Sequence, residues 1–226
     1  IELVQSMNQR FENKHISISL PSLRIDTFSV ELMDALRGQR HGSFTLAPEA
    51  ATERMRSVIN KPISTEKLLE TARAVYSRGW TTIKLYFMIG HPSETLEDVQ
   101  AIADLCKAVL AEGRKIIGRR AKVNPGVSTF VPKPHTPFQW VACDTVEQIQ
   151  AKQTLLKKEL RDRDFKLTWT LPEDTLLEAW LSRGDRRMSD VIYQAWRNGA
   201  RFDAWQEHFR YETWLQAFQI CGLEPT

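Results

Sequence analysis

One stretch, Thr82-Ile-Lys-Leu-Tyr-Phe-Met-Ile89, constrains this chain more than any other. Side chains alternate across a strand, so Ile83, Leu85, Phe87 and Ile89 share one face and Lys84, Tyr86 and Met88 the other. Bulky residues on both faces predict a strand covered on both sides, as in a parallel α/β sheet or barrel. Helix patterns flank it. Upstream, Ser64 or Thr65 opens a helix with an apolar stripe of Leu68, Ala72, Val75 and Tyr76, and Gly79 stands at its C′ position. Downstream, Thr95 and Asp98 resemble a capping box for a helix that buries Val99, Ile102, Cys106 and Val109 and ends at Gly113. Further strands are predicted at 16–20, 43–47 and 122–131. Between them lie a helix begun at Ser29 and stopped by Gly38, and a short one through Met55, Val58 and Ile59 that must finish before Pro62. The order β-α-β-α-β-α-β argues for parallel strands with right-handed crossovers.

After Val131 the pattern changes. Residues 131–140 form a proline-rich, rigid loop. A long helix is predicted over 145–165, then a short strand in which Phe165, Leu167, Trp169 and Leu171 alternate. Helices follow over 174–183, 188–198 and 203–221, with Gly184, Gly199 and Gly222 as stops. Six of the seven tryptophans lie at or beyond Trp140, which suggests a helical cap held on the barrel by aromatic anchors. The expected division is therefore a partial (βα) barrel over 1–140 and a mostly helical extension over 141–226.

Composition narrows the function classes. The chain has 226 residues, 42% hydrophobic, enough for a core, and its net charge of +3 demands no polyanionic partner. No apolar run reaches the roughly 18 residues of a membrane span, and no secretory leader is visible, so a cytoplasmic setting is expected. Cys106, Cys143 and Cys221 are scattered, with no CxxC pair, and the five histidines are dispersed, so no metal site of the chain's own is expected. Residue 1 is Ile, and Ile1, Val4, Met7 and Phe11 fall at helical spacing. The expectation is a chain that starts inside a helix, as an excised piece of a longer protein would.

Candidate chemistry sits where strands meet helices. Gly90-His91-Pro92-Ser93-Glu94-Thr95 follows the best strand, at what would be the ligand-binding edge of a parallel sheet. Gly90 would admit a ligand to the backbone, and the helix start would offer N–H groups, unless the segment simply turns the chain. Glu49 could bond a ligand amine or hydroxyl, or instead stabilise the helix after it. Arg24 could grip a carboxylate in bidentate fashion, or form a surface salt bridge. Lys61, in Asn60-Lys61-Pro62, could place a cation by the same mouth, or simply belong to a pre-proline turn. His135, among three prolines, could be fixed near the barrel mouth, or serve a structural connector. The cluster Lys107, Arg114, Lys115, Arg119, Arg120 and Lys122 has little aromatic interleaving and reads as a solvated face before an RNA groove.

In order, Arg24-Ile25-Asp26, Phe44-Thr45-Leu46-Ala47-Pro48-Glu49, Ile59-Asn60-Lys61 and Tyr86-Phe87-Met88-Ile89-Gly90-His91-Pro92-Ser93-Glu94-Thr95 resemble the radical S-adenosylmethionine (radical SAM) superfamily. The last block is similar to that family's fifth-strand signature. The words around Leu20–Arg24, Lys84–Gly90 and Val131–Trp140 resemble a bacterial subgroup with an N-terminal cobalamin-binding-like domain.

The resemblance implies a six-stranded partial (βα) barrel with SAM across the strand C-termini. A [4Fe–4S] cluster would reduce it to a 5′-deoxyadenosyl radical that abstracts hydrogen from a substrate the resemblance does not name. By the family alignment Arg24, Glu49, Lys61, Tyr86, Met88 and Gly90 are the cofactor-binding residues. Glu49, Lys61 and Arg24 would face the methionine end; Tyr86 and Met88 would lie by the ribose and adenine. Lys133 and His135 would contact substrate, with Phe138 and Trp140 anchoring their loop. No catalytic residue is assigned. The family's CxxxCxxC loop is absent, so the resemblance implies strands three to six of the barrel. The cluster ligands would then lie in an upstream part of the same polypeptide, cobalamin would be a further candidate cofactor there, and this chain alone would be inactive. Two rival readings stand beside it. One is a non-catalytic binding or scaffold module touching RNA through residues 114–122; the other is a phosphate-binding barrel enzyme using the Gly90 loop.

Overall fold

The computed structural model describes residues 2–11, 14 and 43–225. The expected strand at 16–20, the helix begun at Ser29 and the candidate Arg24 lie outside the described residues. Two compact units emerge, Ile1–Phe130 with Glu147–Thr170, and Val131–Val146 with Leu171–Thr226.

In the first unit, helix α1 (Glu2–Arg10) contributes Val4 to the core. Strands β1 (Ser43–Glu49), β2 (Thr82–Ile89), β3 (Lys122–Thr129) and β4 (Thr168–Trp169) form one sheet in the order β1-β2-β3-β4, every pair parallel. Each crossover carries helix: α2 (Glu53–Val58) and α3 (Thr65–Ser77) between β1 and β2, α4 (Leu96–Ile117) between β2 and β3, and α5 (Val146–Glu159) between β3 and β4. A parallel sheet wound in sequence order and followed by further helices is consistent with a partial barrel and a helical extension. Part of the segment expected as extension packs with the sheet, since Ile149, Leu156 and Leu160 join its core.

Phe44, Leu46, Ile83, Leu85, Phe87, Ile89, Val123 and Val127 bury their side chains with Leu68, Val75, Val99, Ile102 and Val109. The other face of β2 departs from expectation. Lys84 and Met88 are only part-buried and Tyr86 is 43% exposed, so among the described residues one face is covered, not two. Bulk without aliphatic character explains this: the ammonium and the phenol accept water where Leu and Ile do not.

Ser64 caps α3, its hydroxyl accepting from Lys67 N–H, and Thr95 with Asp98 makes a complete capping box on α4. Gly113 does not end α4, which runs to Ile117 and is closed by Gly118 at φ 63°. Gly113 is there for close packing. A Cβ on it would lie 2.7 Å from the Tyr76 ring and 2.9 Å from the Ala121 Cβ. Tyr76 is fully buried and donates its hydroxyl to the Lys122 carbonyl at 3.1 Å.

The second unit holds α6 (Pro172–Arg183), α7 (Met188–Arg197) and α8 (Tyr211–Ile220). Trp180 is its centre, stacked on Tyr211 at 5.4 Å and edge-on to Phe218 at 5.2 Å, with Val191, Ala195, Trp214 and Ala217 around it. The helix expected from Asp203 begins only at Tyr211, because Phe202 takes φ 59° and Asp203 is engaged in accepting the Trp214 indole N–H at 3.0 Å. Trp140 anchors nothing in this unit: it is 88% exposed.

Candidate functional site

The C-terminal ends of β1, β2 and β3 line one edge of the sheet. β1 reaches it through an irregularity. Leu46 pairs with Leu85 but Glu49 with Phe87, so one extra residue is inserted at Ala47-Pro48. Such bulges re-aim side chains at sheet rims. Glu49 then takes φ 64°, a left-handed conformation that costs a non-glycine residue on the order of 1 kcal/mol or more. Asn60 at φ 53° makes a second such turn just before Lys61. Lys61 Nζ donates to the Ala47 carbonyl at 2.5 Å and to Glu49 Oε1 at 3.1 Å. Both side chains remain about one-quarter exposed, at 27% and 26%. The result is an ammonium beside a carboxylate at a strand end, both reachable from solvent.

The loop between them is locked from beneath by Arg56, which the sequence reading passed over. Its guanidinium is fully buried and donates to the Ala51 carbonyl at 2.9 Å and Thr65 Oγ1 at 2.6 Å. Burial lowers its pKa, and nearby Glu53 opposes the shift.

β2 delivers Gly90 at φ 87°. Two of the expected N–H groups are already taken at this point. Gly90 N–H is given to Glu94 Oε2 at 2.7 Å, and Thr95 N–H to Asp98 Oδ2 at 2.9 Å. A resident carboxylate occupies the Gly90 N–H, where an anion would otherwise bind, so Gly90 keeps only its carbonyl for a ligand. Glu94 itself is buried and ion-paired to Lys152 of α5 at 2.7 Å. Burial pushes the Glu94 carboxyl up, but the neighbouring His91, the Lys152 ammonium and the Gly90 amide together hold it below the ordinary carboxylate value. Lys152 stands 58 residues from Glu94 in sequence, and no local pattern announces the pair. Asp98 is likewise tied across the fold, accepting from Thr52 Oγ1 at 2.7 Å and from Arg54.

Next to Glu94, the His91 ring is enclosed and stacked on Phe130 at 5.2 Å. Its Nδ1 is 3.8 Å from Glu94 Oε1, beyond hydrogen-bond reach, and both ring nitrogens lack partners among the described residues.

On the less covered face of the sheet, Tyr86 lies opposite Gly126 of β3. A Cβ at Gly126 would meet the Tyr86 ring at 2.8 Å, so the ring occupies the space that glycine leaves. Met88 lies one step closer to the site edge on the same face. Gly126 carries no signal in sequence; only strand pairing shows its purpose.

Lys133 and His135 belong to the second unit. Lys133 is ion-paired to Glu178. His135 is exposed, at φ 63°, and its backbone N–H donates to Gln139 Oε1 at 3.2 Å.

Among the described residues no group of three or more His, Cys, Asp or Glu could hold a metal. Cys106 is wholly within the core, where burial pushes its thiol pKa up, and Cys143 is raised by burial as well. Thiolates are the ligands of iron–sulfur clusters, so these cysteines do not fit a [4Fe–4S] group. Half of the basic cluster is neutralised. Lys107 pairs with Glu159 at 2.6 Å, Arg114 with Asp164 at 2.6 Å, and Lys115 with Glu112 at 2.6 Å. No helix among the described residues is long and apolar enough to cross a membrane.

The family model of the radical SAM superfamily matches residues 1–106, the segment that carries β1, β2 and the loops that follow them. That match covers part of the chain only. An uncharacterized protein, MJ0966 of Methanocaldococcus jannaschii, is 33% identical over 177 residues, which is 78% of this chain. The chain spans 37% of that relative's length. The N-acetylneuraminate lyase of Proteus mirabilis aligns over all of this chain and 83% of its own, at 13% identity and a TM-score of 0.33, too low to assign a shared fold.

Proposed function

We propose that this chain forms the SAM-binding side of a radical SAM enzyme whose [4Fe–4S] cluster is held by residues outside these 226. The observation that carries the reading is the Lys61–Glu49 pair at the end of β1, inside the segment matched by the superfamily. A free amino-acid group is a zwitterion. An ammonium beside a carboxylate, both part-exposed, offers each of its ends a partner. Tyr86, seated over Gly126 with its ring part-exposed, offers a stacking surface of purine size. These residues fit S-adenosylmethionine; the cysteines do not fit the cluster, and no step is assigned to it here. The chemistry such a bound cofactor supplies is radical hydrogen abstraction.

In this reading Lys61 and Glu49 bind and orient the methionine end, and the left-handed backbone at Glu49 and Asn60 is the cost of aiming them there. Gly90 contributes its carbonyl, and Met88 flanks the nucleoside. Glu94 and Lys152 hold the Gly90 turn in shape. Lys133 and His135 are proposed as substrate contacts, with Arg24 as a further group at the methionine end and cobalamin as a further cofactor of the whole protein.

Methyl-labelled methionine NMR tests this directly. Millimolar SAM should shift the Met88 methyl and leave Met188 in place, and Lys61→Ala should abolish the shift. No perturbation at Met88, or an equal one in Lys61→Ala, would remove this assignment.

A further inference from the structure

The second unit carries an exposed surface that the SAM reading does not use. Helix α7 turns Val191 and Ala195 inward and leaves Tyr193 and Trp196 outward, 57% and 51% exposed. Their rings stack at 5.9 Å, 27° from parallel. Gly199, at φ 102°, reverses the chain so that Arg201 returns over the Trp196 ring at 5.5 Å; Arg197 lies 6.0 Å from the Tyr193 ring. Beyond the turn, Phe202 and Trp205 stand edge to face at 5.7 Å, 67% and 55% exposed.

Four large aromatic side chains left in water are costly unless something covers them. Charge says what kind of partner this is. Neither Arg197 nor Arg201 has a carboxylate within ion-pair distance among the described residues, whereas Arg114, Lys133 and Arg187 do. An apolar partner would have to desolvate two guanidinium groups without replacing their hydrogen bonds, at a cost of several kcal/mol each. A phosphate backbone would pair them, and unstacked bases would lie on the open ring faces.

We propose that Tyr193, Trp196, Arg197, Arg201, Phe202 and Trp205 form a binding surface for single-stranded nucleic acid, in which bases stack on the rings and the two arginines take phosphates. It is distinct from Lys107, Arg114 and Lys115 of α4, whose cations carboxylates already satisfy. It stands or falls independently of the SAM site.

The test is fluorescence anisotropy of the full chain with a labelled 20-nucleotide single strand and a duplex of the same length. The single strand should bind more tightly than the duplex. Trp196→Ala should weaken it by roughly 5- to 100-fold, and Trp196→Phe should restore most of the loss. Arg201→Ala should reduce the slope of log affinity against log salt by about one. Arg114→Ala should leave binding as it was. Equal affinity for duplex, or no change in Trp196→Ala, overturns the proposal. So does a concentration-dependent dimer, seen by light scattering, that Trp196→Ala dissolves, since the patch would then cover a second copy. Circular dichroism keeps the variants interpretable, because the substituted side chains are exposed and the fold should not notice them.

Discussion

The sheet unit and the helical unit spend their difficult residues in opposite ways. The sheet unit takes charge inside. Glu94, Lys152, Arg56 and Asp98 all have side chains at or near full burial; Glu94, Lys152 and Asp98 are held by partners distant in sequence, and Arg56 by its own loop. The helical unit puts aromatic surface outside, around a small core centred on Trp180. A buried charge is tolerated only when geometry satisfies it, so it reports rigidity; an exposed ring costs solvation free energy, so it reports an interaction. In the readings proposed above, the first unit would carry the small-molecule edge and the second the nucleic-acid surface.

The largest expected effects break the sheet unit. Lys152→Met leaves the Glu94 carboxylate buried without its cation and should cost about 3–5 kcal/mol by urea unfolding at neutral pH. Phe87→Ala should cost about as much, roughly 3–5 kcal/mol, while Tyr86→Ala on the opposite face of the same strand should cost only about 1 kcal/mol. Near-equal losses for these two would mean that the Tyr86 face is covered after all.

Acid sharpens the same point. The Glu94 pKa is depressed in the folded state, so the folded form holds fewer protons at this group than the unfolded one near its ordinary pKa. Its contribution is fully present above the unfolded value, about 4.3, and is lost as pH falls through the lower folded value. Glu94→Gln should therefore flatten the fall in stability below about pH 5, measured by circular dichroism in urea. An unchanged acid limb would assign that fall to other carboxylates.

Smaller again is Gly113→Ala. Helix propensity alone favours alanine by about 1 kcal/mol. The contacts with Tyr76 and Ala121 reverse the sign, and a net loss of about 1–3 kcal/mol is expected in thermal melts. A rise in Tm would show that the Tyr76 ring can move aside. The smallest effect belongs to the helical unit's surface: Trp196→Ala and Trp140→Ala should each change stability by less than about 0.5 kcal/mol.

What the sequence determined by itself is local. The alternation of residues 82–89, the Ser64 cap and the Thr95–Asp98 box depend on spacings of two to four residues, which propensity and sterics enforce along the chain. The order of motifs also pointed to Glu49 and Lys61 as members of one site. Tertiary structure alone decided the rest. Gly113 reads as a helix stop until Tyr76 and Ala121 are seen against it, and Gly126 reads as nothing until Tyr86 lies across it. The Gly90 N–H reads as open to an anion until Glu94, steadied by Lys152, is found accepting it. Each of these meanings is a contact between residues far apart in the chain. The pattern that encodes such a contact is spread over two segments, and neither segment alone contains it.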